Sequence, residues 1–103
     1  MNEEYLPTII EKIINVKPDT YIIFFVNTCP YCQRAISLLN DHKVRYKGYD
    51  IDTIDGGMPK LLEVLNKYKN LLNFNPDHKT KPIIFFNKKF IGGYTDLEKK
   101  LSV

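Results

Sequence analysis

Hydrophobic residues recur along the chain in two rhythms. Between residues 3 and 15, Ile9, Ile10, Ile13 and Ile14 fall at helical spacing beside Glu11, Lys12 and Asn15. This pattern predicts an amphipathic helix with one buried face. Lys17-Pro18-Asp19 ends it. Tyr21-Ile22-Ile23-Phe24-Phe25-Val26 is continuous, aromatic and β-branched, as expected of a strand covered on both faces. Helical spacing returns at Pro30, with Cys32, Ala35, Ile36 and Leu39 opposite Gln33, Arg34, Ser37 and Asn40. A proline suits the first turn, where its missing N–H would be unpaired anyway. Residues 44–51 read as a second strand, with Tyr46, Tyr49 and Ile51 as β-formers. A further helix is expected from about 59 to 72, with Leu61, Leu62, Leu65 and Tyr68 on one side. Residues 73–79 are polar, contain Pro76 and read as a loop. Pro82-Ile83-Ile84-Phe85-Phe86 is a third strand, and Asn87-Lys88-Lys89 turns it into a short fourth at Phe90-Ile91. After Gly92-Gly93, Thr95 and Glu98 have the spacing of a capping box that opens a last short helix.

The expected order is αβαβαββα. The strand-helix-strand unit implies parallel pairing, and the hairpin makes the four-stranded sheet mixed, with helices on its faces. Ile9, Ile13, Phe24, Leu39 and Phe85 are assigned to the core, and Phe90 and Tyr94 to packing.

Composition narrows the class. The 103 residues, 44% hydrophobic with 7 Tyr and 6 Phe, suffice for one core, so residues 1–103 are read as a single domain, and the composition argues against disorder. The net charge of +3 is too small and dispersed for a nucleic-acid surface. No stretch reaches the ~18 apolar residues of a membrane span, and the N-terminus lacks a basic region followed by an apolar one. A monomer in the cytoplasm, away from membranes, is the expectation. Ile, Lys and Asn make up a third of the chain, a usage that favours A/T-rich codons.

Only Cys29 and Cys32 carry thiols. One pair is too few for a disulfide scaffold or a four-cysteine zinc site. Placed between a buried strand and a helix start, Cys29 lies at the positive end of a helix dipole, where unpaired N–H groups stabilise a thiolate. Cys32 sits one turn further in and is shielded. That asymmetry makes Cys29 the attacking thiol and Cys32 the resolving one. Other uses stay open on spacing alone. They are half of a zinc site completed by His42 and His78, an inert structural pair, or iron–sulfur ligation across a dimer.

Three motifs together resemble one family. Thr28-Cys29-Pro30-Tyr31-Cys32 is similar to the active site of dithiol glutaredoxins. Thr80-Lys81-Pro82 resembles their threonine-x-proline loop. Ile91-Gly92-Gly93-Tyr94-Thr95-Asp96-Leu97 resembles their glycine-glycine-x-x-aspartate signature. The resemblance implies a thioredoxin-like fold and glutathione-dependent reduction of protein disulfides and glutathionylated proteins. Glutathione would be the reductant, with no resident cofactor or metal. It implies a cis Pro82 and a Lys81 backbone that pairs with the ligand backbone. Tyr31, Thr80 and Gly93 would line the cleft. Thr95 and Asp96 would hold the γ-glutamyl carboxylate and ammonium. Lys79, with Lys60 behind it, would meet the glycyl carboxylate. The alternative of the same fold is an iron–sulfur or metal carrier without reductase activity.

The chain departs from the family pattern in several places. Val26 stands where many members carry a lysine, and Lys81 occupies a usually apolar position, so Lys81 is expected to replace part of the missing charge. The 66–78 segment is longer than typical. The sequence stops soon after Leu101, so the family's usual terminal helix is expected to be missing or cut short.

Overall fold

The computed structural model describes residues 6–102. The first helix, α1, spans Thr8–Ile14, so the part expected at 3–5 lies outside the described residues. There follow β1 (Thr20–Phe25), α2 (Pro30–Asp41) and β2 (Arg45–Asp50). A single 3-10 turn, Ile51–Thr53, leads to α3 (Gly57–Lys67) and α4 (Lys69–Leu72). The hairpin β3 (Ile83–Phe86) and β4 (Lys89–Gly92) precedes α5 (Tyr94–Leu101).

The four strands form one sheet in the order β2-β1-β3-β4. β1 and β2 are parallel, and the other two pairings are antiparallel. This is the expected mixed sheet. The continuous apolar runs are explained by burial on both faces. Ile22, Phe24, Ile83 and Phe85 pack with Ile10, Ile13, Leu61 and Leu65 under α1 and α3. Tyr21, Ile23 and Ile84 pack with Ala35, Leu39 and Leu97 under α2 and α5. Of the assigned core residues only Ile9 is half-buried, and its neighbour Ile10 takes the fully buried position.

Besides α1, which starts only at Thr8 after Leu6 and Pro7, three boundaries differ from the expectation for a visible physical reason. β2 stops at Asp50, whose side chain accepts from the Asp52 N–H at 2.9 Å, and Ile51 turns inward to full burial. The 59–72 helix is broken at Tyr68, which leaves helical geometry (φ −109°, ψ 26°). The break lets Leu72 and Phe74 both reach the core, where the Phe74 ring meets Phe90 at 4.9 Å. The last helix begins at Tyr94 with Gly93 as its N-cap, not at Thr95. Its cap is made by Asp96, whose carboxylate accepts the Gly93 N–H at 3.1 Å. Glu98 instead accepts from the Tyr94 hydroxyl at 3.4 Å.

The β3–β4 turn places Asn87 and Lys88 at positive φ (50° and 73°), the geometry of a tight hairpin whose twist suits its strands. Asn87 also accepts the Asp19 N–H at 2.6 Å, tying the hairpin to the entry of β1.

Candidate functional site

Cys29 is the N-cap of α2, in extended geometry, with Pro30 in the first turn. Its N–H donates to the Val26 carbonyl at 3.1 Å. Its sulfur accepts the Cys32 N–H at 3.2 Å. The sequence folds this way because proline fixes the first helical φ, leaving the cap sulfur as acceptor for an otherwise unpaired donor. Gln33 reaches back to the Asn27 carbonyl, which holds the loop before Cys29.

The two sulfurs differ. Both cysteines are free; Cys29 is half-buried and Cys32 fully buried. Burial pushes the Cys32 thiol from an ordinary 9.0 up to about 12, and its hydrogen bond with the Cys29 side chain adds to this. The backbone at Val26 and the Lys81 ammonium act in the opposite sense. Cys32 is therefore held protonated at neutral pH, and Cys29 is the sulfur a partner can reach.

This asymmetry gives a pH prediction. A thiol whose folded value lies above its unfolded one stabilises the fold fully below the unfolded value. Stability of the reduced protein should thus fall as pH rises from about 9 to about 12, measured by denaturant melts. At pH 8 a shift of this size leaves Cys32 with about a thousandfold less thiolate than a free thiol. Iodoacetamide should accordingly label Cys29 alone until the protein unfolds, as read by intact mass.

Next to the contact between Cys29 and Lys81 lies a cleft of about 340 Å³. One wall is Thr80, Lys81 and Pro82, and the other is Gly93, Thr95 and Asp96, with Tyr31 at the mouth. The Lys81–Pro82 peptide bond is cis, and the Cys29 thiol points at the Lys81 carbonyl, 3.8 Å away. Tyr31 is 55% exposed, and its ring packs 6.0 Å from Tyr94 and 5.2 Å from the Arg34 guanidinium. On the far wall, the start of α5 presents its first-turn N–H groups, which suit an anion.

Seven of the eight expected ligand contacts converge on this cleft. Lys79 does not. It lines a separate cavity of about 210 Å³ with Leu62, Glu63, Asn66 and Phe74. In this loop His78 turns inward and Lys79 emerges on the other side, toward α3. Lys60, the second cation considered, pairs loosely with Glu63 at 3.9 Å. Lys81 is the lysine that lines the cleft.

Two residues of the cleft carried no such expectation. Tyr94, assigned only to packing, lines it beside Tyr31. His78 forms part of the wall, with its Nε2 3.2 Å from the Pro82 carbonyl and its ring 5.0 Å from Phe90. It thereby links the 80–82 loop to the Gly93 turn, where a Cβ would stand 3.3 Å from its ring. His42 lies at the other end of α2, bonded to the Leu38 carbonyl at 3.0 Å, so the two histidines do not join the cysteines. Among the described residues no group of three or more His, Cys, Asp or Glu is placed to hold a metal ion.

The chain as a whole is similar to known proteins. A family model described as Glutaredoxin matches residues 21–91. A "Probable glutaredoxin" of Acanthamoeba polyphaga mimivirus is 54% identical over 99 residues, covering 96% of this chain and 93% of its own. The solution structure of a dithiolic glutaredoxin from Trypanosoma brucei brucei aligns with a TM-score of 0.67 at 28% identity, covering 94% of this chain and 89% of that one. A buckwheat glutaredoxin solved as a complex with glutathione shares the fold, with a TM-score of 0.70 at 22% identity over 99% of this chain and 86% of that one.

Proposed function

Since this chain belongs to the glutaredoxin family of thiol–disulfide oxidoreductases, we propose that it reduces glutathione mixed disulfides and protein disulfides with glutathione as the electron donor. The observation that carries this reading is the position of Cys29 beside the carbonyl of Lys81, a residue that lines the cleft between the 80–82 loop and the start of α5.

In the one-cysteine route, the Cys29 thiolate attacks the glutathionyl sulfur of a mixed disulfide. The substrate thiolate leaves and takes a proton. A second glutathione thiolate then attacks the glutathionyl sulfur on Cys29, releasing oxidised glutathione and restoring the Cys29 thiolate. In the two-cysteine route, Cys29 attacks a protein disulfide, and Cys32 gives up its proton and attacks Cys29. The reduced substrate departs, and two glutathiones reduce the Cys29–Cys32 bond.

Each wall has a task in this scheme. The Lys81 backbone pairs with the cysteinyl backbone of glutathione in the manner of an added strand. The N–H groups of Thr95 and Asp96 receive the γ-glutamyl carboxylate. One Asp96 oxygen is taken by the Gly93 N–H, which leaves the other for the ammonium. Tyr31 and Tyr94 flank the sulfur. Lys81, not Lys79, meets the glycyl carboxylate.

The test is reduction of a small glutathione mixed disulfide, coupled to glutathione reductase and its nicotinamide cofactor. Turnover that saturates with glutathione is expected. Reduction supported only by a dithiol donor, with glutathione inert, would overturn the reading. Within the same assay, Lys81→Met should raise KM about threefold to fivefold, the scale of one exposed ion pair. Lys79→Met should leave KM unchanged.

A further inference from the structure

A cavity of about 380 Å³ lies at the start of β1, walled by Asn15, Val16, Lys17, Thr20, Arg45 and Lys47. β1 is six residues long, roughly 20 Å at ~3.3 Å per residue. Because Cys29 follows its other end, the cavity is separate from the thiol cleft. The topology builds it. Thr20 pairs with Arg45 and Ile22 with Lys47 across the parallel β1–β2 ladder. Arg45 and Lys47, two residues apart on β2, share a face, and Lys17 arrives on the segment from α1. Three cations converge, and no carboxylate among the described residues lines the cavity.

Two details indicate a ligand. Arg45 is held in place, its Nη1 donating to the Pro18 carbonyl at 3.2 Å, while its remaining guanidinium donors stay available. Thr20 is 1% exposed, and its hydroxyl has no hydrogen-bond partner among the described residues. Buried hydroxyls are nearly always paired, so an orphan beside three cations points to an acceptor from outside the chain. The carbonyl end of short α1 brings partial negative charge nearby, which three formal cations outweigh.

We infer that this cavity binds a phosphoryl group. The Thr20 hydroxyl and Arg45 donate to its oxygens, and Lys17 and Lys47 supply charge. A water fills about 30 Å³ of liquid, so the cavity exceeds what a bare phosphate fills and has room for an organic body that carries it.

The test is an NMR titration of the full chain at constant ionic strength, with inorganic phosphate in one arm and adenosine monophosphate in the other. Saturable amide shifts at Thr20, Arg45 and Lys47, without shifts at Cys29 or Gly93, are expected in both. Tighter binding of the nucleotide identifies an organic phosphate as the ligand, and equal binding identifies free phosphate. Arg45→Gln should weaken binding about tenfold, the loss of one charge-assisted hydrogen bond. Thr20→Val keeps the side-chain shape and removes the orphan hydroxyl, so it should fold at least as stably without phosphate. It should also lose the phosphate-dependent rise in Tm. Shifts that follow chloride equally well would overturn the inference. So would shifts seen only with a long polyanion such as heparin, or wild-type binding by Thr20→Val.

Discussion

Replacing Cys29 by serine is expected to lower reduction of both a glutathione mixed disulfide and a protein disulfide by at least about a thousandfold, or about 4 kcal/mol of barrier. A hydroxyl cannot form the disulfide intermediate on which both routes depend. Replacing Cys32 should act differently. Cys32→Ser should keep part of its activity on the mixed disulfide, where Cys29 works alone with glutathione, and lose reduction of the protein disulfide. The physical basis is the unequal placement of the sulfurs. Cys32 is fully buried and held protonated by that burial, whereas Cys29 is only half-buried and lies beside the Lys81 carbonyl. Once Cys29 is tied up in a mixed disulfide, its side chain no longer adds to the burial that holds Cys32 protonated, and the attack of Cys32 is eased. Steady-state rates on the two substrates check both variants.

Gly92→Ala is expected to have the largest effect on stability. Gly92 has φ +128°, which side chains other than glycine's rarely adopt. An added Cβ would fall on the Asp96 carboxyl and within 2.8 Å of the Asp96 Cβ. The substitution therefore combines a backbone penalty of about 1–3 kcal/mol with loss of the Asp96 cap, worth about 1 kcal/mol. A total near 3 kcal/mol would lower Tm by roughly 12–20 °C in a domain of this size. Gly93→Ala is the control. Its φ of −106° is open to any residue, and a Cβ there meets the His78 ring at 3.3 Å. It should fold with a loss under about 1 kcal/mol and narrow the cleft, so KM should rise while Tm barely moves. Calorimetry and the coupled assay separate the two effects.

What was legible in the sequence follows from how local each feature is. β1 and β3 show as unbroken apolar runs because both faces of the sheet are covered. The Cys29–Cys32 spacing acts within one helical turn, so its geometry needs only the helix that Pro30 starts. The break at Tyr68 was not legible, because Leu71 and Leu72 continue the helical spacing of α3. It is set by long-range packing of Leu72 and Phe74 against the core. The start of α5 was ambiguous because two capping patterns overlap. The Gly93–Asp96 pair prevails over Thr95–Glu98 where the chain leaves β4 at Gly92. The sequence favours Lys79 for the glycyl carboxylate, whereas Lys81 lines the cleft, because an irregular loop has no side-chain period to show which lysine turns inward. His78 offers itself in the sequence only as a metal ligand. Its place against Pro82 and Gly93 depends on the 80–82 loop and the Gly93 turn meeting in space.

The central claim is that Cys29 takes up glutathione in the cleft between the 80–82 loop and the start of α5. The most direct measurement is an NMR comparison of Cys32→Ser before and after reaction with oxidised glutathione. One glutathione adduct, on Cys29, is expected, with amide shifts concentrated at Tyr31, Lys81, Gly93, Thr95 and Asp96. An adduct that leaves these amides unmoved, or shifts gathered instead around Lys79 and Asn66, would contradict it.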